Sequence, residues 1–116
     1  AFPSVADACD FVVRVISSVG LNPGSDVSIA LDIASSQFFD GSTYNLRTEG
    51  LSLIPTDFVQ YINRLVNSQP IVSIEDPFAE DDWAAWSAFT LSIWPSSDMA
   101  IELQIGIQPC AKINLR

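Results

Sequence analysis

The sequence predicts an α/β fold in which parallel strands alternate with helices, and three observations carry that reading. Two short apolar segments, residues 27–34 and Ile71–Glu75, each bear an acid at or near their end. An amphipathic stretch that opens on Pro55 separates them, and another precedes the first. Helix, strand, helix, strand in that order implies parallel strands joined by right-handed crossovers.

The first helix starts at Ser4, an N-cap with Asp7 in the first turn, where an acid suits the helix dipole. Val5, Ala8, Val12, Val15, Ile16 and Val19 then recur in three- and four-residue steps as one apolar stripe. Gly20 supplies the stop, and Asn22-Pro23-Gly24 the turn that follows. In the strand at 27–34, Val27, Ile29, Leu31 and Ile33 face one way and Ser28, Ala30, Asp32 and Ala34 the other. Small residues plus one acid on the second face predict a crowded interior, as inside a barrel.

Residues 35–49 are polar, with Gly41 and interspersed aromatics, and read as a short excursion or hairpin. Pro55 and Thr56 open the second helix; Phe58, Tyr61, Ile62, Leu65 and Val66 mark its buried stripe, and Pro70 ends it. The strand Ile71–Glu75 closes on Asp76-Pro77. Glu80, Asp81 and Asp82 lead into a third helix with Trp83, Trp86, Phe89 or Thr90, and Ile93 spaced for packing. Trp94-Pro95-Ser96-Ser97 breaks it, Asp98 is placed to cap a fourth helix over 98–105, and residues 111–115 read as a third strand.

Charge and composition exclude several classes of function. At 116 residues, one domain is the default. The chain carries 14 acids against 5 basic residues, and Lys112 is the only lysine, so no basic patch for nucleic acid or an anionic membrane surface can be assembled. There is no histidine, which removes Ser-His-Asp and Cys-His catalysis. No apolar run approaches the roughly 18 residues that span a bilayer. Cys9 and Cys110 form no CxxC pair; two reduced thiols in a cytoplasmic protein are favoured over a single disulfide. A chain that opens at Ala1 on the approach to a helix, without an initiator Met or a signal-peptide pattern, reads as part of something longer.

In parallel α/β folds, reactive groups gather at the C-terminal ends of strands. Asp32 and Glu75 occupy such positions. Two carboxylates converging at one sheet edge repel unless a hard cation such as Mg²⁺ neutralises them. Spacing alone favours the alternative, in which each caps a helix or pairs with an arginine. The run from Glu75 to Asp82 holds five carboxylates in eight residues, and Glu80, Asp81 and Asp82 read as helix N-terminal charge. Lys112, between Ala111 and Ile113, is either an edge residue reaching for water or a functional ammonium, and spacing favours the first.

At these residues the sequence resembles the enolase family. Val-Ser-Ile-Ala-Leu-Asp-Ile-Ala-Ser-Ser-Gln-Phe-Phe from Val27 is similar to the enolase segment in which a strand ends in a metal-binding Asp. Ile-Val-Ser-Ile-Glu-Asp-Pro-Phe from Ile71, continuing through Ala-Glu-Asp-Asp-Trp-Ala-Ala-Trp, is similar to the family's most recognisable stretch, with its metal-binding Glu and acidic-Trp helix start. The likeness runs through about 12–90, and 91–116 fit poorly. It implies one partial domain over 1–116, a segment of the enolase-type (β/α)8 barrel. A complete barrel has eight strands in about 250 residues.

The resemblance further implies that Asp32 and Glu75 are two of three carboxylate ligands of a Mg²⁺ that chelates the substrate carboxylate. Cys-Ala-Lys-Ile-Asn-Leu from Cys110 resembles a compressed form of the strand whose lysine is the general base, which makes Lys112 that base. The family reaction interconverts 2-phosphoglycerate and phosphoenolpyruvate in glycolysis: the lysine removes a proton beside a carboxylate and Mg²⁺ stabilises the enediolate. A cytoplasmic homodimer is implied for the full-length parent, with a small-molecule substrate and neither nucleic acid nor membrane as partner. The departures are specific. No Gly-Asp-Asp-Leu strand supplies a third ligand, and the acids available in 90–109 are Asp98 and Glu102. Gln37 stands where the family has an acid, and the family's His and phosphate-binding Arg positions have no counterpart. These expectations describe a chain inactive by itself; the alternative is a degenerate, non-catalytic enolase-like structural or interaction protein.

Overall fold

A computed structural model of the chain describes residues 2–93 and 100–102. Helix α1 spans Val5–Ser18, strand β1 Ile29–Asp32, and a one-turn 3-10 helix Ser35–Gln37. A hairpin of β2 (Tyr44–Leu46) and β3 (Leu51–Leu53) follows, then α2 (Pro55–Ser68), β4 (Ile71–Glu75), α3 (Trp83–Ile93) and β5 (Ala100–Glu102). The main sheet runs β1-β4-β5 with both pairings parallel, and the hairpin is a separate antiparallel pair. Strands β1 and β4 are thus neighbours, with α2 in the crossover between them. This is the layering of a partial (β/α) barrel, and the described strands do not close on themselves.

The ends of α1 follow from local chemistry. The Ser4 hydroxyl accepts from the Asp7 amide at 3.0 Å and so satisfies one of the free N–H groups of the first turn. At the other end Gly20 takes φ +83°, and the amides of Gly20 and Leu21 donate to Ser17 O and Ile16 O. That left-handed turn satisfies two helix carbonyls. The buried face differs from the expected stripe: Cys9 and Ile16 are buried, Val5, Ala6 and Val13 pack partly beside them, and Val12, Val15 and Val19 are exposed. Asp7, Asp10, Arg14, Ser17 and Ser18 share one polar face, but the apolar arc opposite is wide enough for two stripes, and the sheet covers only one.

Two apolar clusters lie between the helices and one face of the sheet. The larger joins Phe58, Val59 and Ile62 of α2 to Ile74 of β4, Tyr44 of the hairpin, and Phe78, Ala85 and Phe89. Tyr44 stacks on Phe58 with ring centres 4.1 Å apart, and Phe78 meets Phe89 edge-on at 5.2 Å. Such geometries suit aromatic quadrupoles. The smaller cluster sets Cys9 of α1 against Ile29, Leu65 and Ile71; burial first, then the charge of Asp10, raises the thiol pKa. Trp83, expected to pack, is 70% exposed, because α3 turns Ala85 and Phe89 inward instead. Trp86 is half-buried, its indole N–H donating to Ala79 O at 2.9 Å.

The other face of the sheet is open. Ala30 and Asp32, expected to line a crowded interior, are exposed. Their small partners are present, but the strands that would cover them from across a barrel are not among the described residues. The helix expected over 98–105 is also contradicted, since Ala100–Glu102 forms β5. The physical reason is the pattern Ile-Glu-Leu-Gln-Ile-Gly-Ile-Gln from Ile101, which alternates apolar with polar or glycine at the period of a strand. The strand expected over 111–115 lies outside the described residues. Among those described, no helix is long and apolar enough to cross a membrane.

Candidate metal centre at the strand ends

The parallel register sets the two candidate acids side by side. Beyond an irregularity between Ile29 and Ala30, Ala30 pairs with Ser73, Leu31 with Ile74 and Asp32 with Glu75. Neighbouring strands lie about 4.8 Å apart and directly paired residues project to one face. Leu31 and Ile74 pack into the helix layer, which sends Asp32 and Glu75 to the open face at the C-terminal ends of adjacent strands. Asp32 is exposed and Glu75 half-buried.

The next pairing extends the row, because Glu75 is in register with Glu102 of β5. Three acids, Asp32, Glu75 and Glu102, therefore occupy one level of backbone across three parallel strands. Sequence reasoning placed a helix over Glu102 and so missed its register with Glu75. A signal was present: Leu31-Asp32, Ile74-Glu75 and Ile101-Glu102 repeat the same aliphatic-then-acid pair.

Within two residues of each acid the chain turns through left-handed backbone without glycine, at Ala34 (φ 52°) and Asp76 (φ 44°). The carboxyl of Asp76 has a raised pKa, first from burial and then from the negative charges of Asp32 and Glu80. That end of the sheet is thus a region of negative potential. At the start of α3 the Asp82 carboxylate accepts from the Ala85 amide, at 3.1 Å. The same carboxylate accepts the Tyr44 hydroxyl proton at 2.6 Å, and that hydroxyl accepts from the Ala79 amide at 3.1 Å. The acidic run therefore divides, with Glu75 in the row of acids and Asp82 in the framework.

The donor set is oxygen only, which suits a hard dication, and coordination places not filled by protein would be taken by water. Among the described residues no group of three or more His, Cys, Asp and Glu side chains is arranged to hold a metal. The residues fit Mg²⁺ in kind, with Asp32 and Glu75 as its two candidate side-chain ligands. Lys112 lies outside the described residues. A cavity of about 730 Å³ beside the hairpin takes in Asp32, Phe38, Phe58 and Tyr61 but not Glu75, so of the two strand-end acids it meets only Asp32. Residues 2–99 match the family model described as enolase, C-terminal TIM barrel domain, and the chain belongs to that family.

Proposed function

We propose that the chain carries part of the metal-binding wall of an enolase-type active site, and that the protein to which it contributes interconverts 2-phosphoglycerate and phosphoenolpyruvate. The observation that carries this reading is the pairing of Asp32 with Glu75 at the C-terminal ends of adjacent parallel strands, where barrel enzymes gather their reactive groups. Asp32 and Glu75 would hold Mg²⁺, and Glu102 has the third position in the same row. A bound Mg²⁺ would supply positive charge beside the substrate carboxylate, where negative charge builds as the neighbouring proton leaves.

The remaining chemistry falls to the chain's own groups. Asp32 and Glu75 orient whatever cation they share, since each is fixed to a strand whose other side is locked into the helix layer. Lys112 is assigned the general base by resemblance, removing the proton next to the substrate carboxylate. No described residue is placed to protonate the departing hydroxyl, so that acid belongs elsewhere in the assembled site. A cytoplasmic homodimer remains part of this proposal through family resemblance alone.

One observation favours a second reading, a non-catalytic enolase-like structural chain: the described side chains by themselves do not complete a three-ligand cluster. Titration calorimetry with Mg²⁺ separates the two. Binding that weakens in each of Asp32→Ala, Glu75→Ala and Glu102→Ala supports the metal centre. Affinity unchanged in Asp32→Ala and Glu75→Ala would leave them as ordinary strand-end acids.

A further inference from the structure

The two strand ends are tied together beyond the last ladder pair, and two consecutive serines do the tying. The Ile33 amide donates to Glu75 O at 3.0 Å and the Ser35 amide to Asp76 O at 3.2 Å, so main-chain pairing continues past Ala34 and as far as Asp76. The Ser35 hydroxyl then donates to Pro77 O at 2.8 Å. Ser35 is completely buried, and Pro77 is too. From the other direction the Glu80 amide donates to the Ser36 hydroxyl at 3.1 Å. Four hydrogen bonds thus join residues 33–36 to residues 75–80.

We propose that Ser35 and Ser36 are positioning residues, a clasp that sets the separation and height of Asp32 relative to Glu75. The proposal rests on the metal reading above and deepens it. Left-handed backbone at a non-glycine residue is strained and persists only where surrounding contacts over-determine it. Ala34 and Asp76 are such residues, each within two positions of its acid, and the clasp bonds lie directly on the segments that contain them. Without the Ser35 hydroxyl the buried Pro77 carbonyl loses its partner, and the turn after β1 is free to shift relative to the turn after β4. Two carboxylates that share a cation need a fixed spacing, and partners that orient metal ligands are worth about 10- to 100-fold in affinity.

The test measures Mn²⁺ binding to the 116-residue chain by the electron paramagnetic resonance signal of the free ion. The variants are Ser35→Ala, Ser36→Ala, Asp32→Ala, Glu75→Ala and, as a destabilised control in the helix layer, Val59→Ala in α2. Each is studied below its own melting temperature. The clasp predicts a loss of about tenfold in Ser35→Ala and a smaller one, about threefold, in Ser36→Ala, with Val59→Ala unchanged. If Ser35→Ala does not fold, exposed Ser36 carries the test. Asp32→Ala and Glu75→Ala that weaken binding while both serine variants keep full affinity overturn the clasp alone. An equal loss in Val59→Ala overturns it too, by tracing the effect to global stability. Full affinity in Asp32→Ala and Glu75→Ala defeats the metal reading, and the clasp with it.

Discussion

Replacing Tyr44 by Phe removes one oxygen from the join between the hairpin and the acidic loop, and its cost can be worked from the contacts. The ring is completely buried, stacked on Phe58 at 4.1 Å and on Phe39 at 4.5 Å, and phenylalanine keeps both contacts. What is lost is the 2.6 Å bond to the Asp82 carboxylate and the acceptor for the Ala79 amide. A hydrogen bond to a charged group is worth about 1.5–3 kcal/mol, and orphaning a buried N–H costs about 1–3 kcal/mol. Ala79 is 2% exposed, so its amide finds no ready substitute. Asp82 is only half-buried and recovers some hydration, which puts the sum near its lower half, about 3 kcal/mol. Urea unfolding followed by circular dichroism should show the midpoint falling by about 2 M with the slope unchanged. In a double-mutant cycle, Asp82→Asn should couple to Tyr44→Phe by more than about 1 kcal/mol. A loss below about 0.5 kcal/mol, or full additivity with Asp82→Asn, would refute the reasoning and leave Tyr44 as a packing residue only.

Two further outcomes are expected. The chain has two tyrosines, and both pKa values are raised, Tyr44 by burial and then its bond to Asp82, Tyr61 by burial and then its bond to Glu49. A raised folded pKa means the unfolded chain loses the proton first; stability is full below the ordinary tyrosine value of about 10 and falls as pH rises above it. The phenolate absorbance of the native chain should therefore lag that of the urea-unfolded chain, and coincident curves would contradict the two carboxylate-bonded hydroxyls. Separately, the 116-residue chain should not turn over 2-phosphoglycerate at saturating Mg²⁺, because no described group supplies the acid for the leaving hydroxyl. Phosphoenolpyruvate formation that vanishes in Lys112→Ala would show the chain to be catalytically sufficient.

How much was legible in the sequence varied with how many structures a local pattern allows. Helix α2 and strand β4 could be bounded closely because Pro55 opens one, Pro70 separates them, and Asp76-Pro77 closes the other. The buried face of α1 could not, since its apolar arc is wider than the sheet can cover and only the sheet decides which part is buried. Asp98 after a Pro-Ser-Ser break mimics a helix cap, and that local signal hid the period-two pattern which makes residues 100–102 a strand. At the site, acids ending apolar strands marked Asp32 and Glu75, but their common level is a property of register, which depends on an irregularity near Ile29. Ser35 carried no sequence signal at all. Its burial and its bond to Pro77 exist only once the two turns meet.

The division of the sheet into two faces separates the packing that stabilises the chain from the row of acids proposed to hold a cation. The side bearing Leu31 and Ile74 is closed by α2, α3 and the hairpin, and the apolar burial that stabilises the fold lies there. The side bearing Ala30 and Asp32 buries little. Its acids lie close enough for the charge of Asp32 to raise the pKa of Asp76, which is repulsion the fold tolerates and does not need. Removing the exposed Asp32 carboxylate takes away negative charge and little packing, so that variant is expected to stay folded while any metal affinity it contributed is lost. Removing Phe58 or Phe89 does the reverse, since each is completely buried and neither reaches the acid row. Sites whose groups repel one another in the absence of ligand are commonly held at a cost to stability. Here that cost is borne by a helix layer on the opposite face, and the strands transmit its rigidity to the acids at their ends.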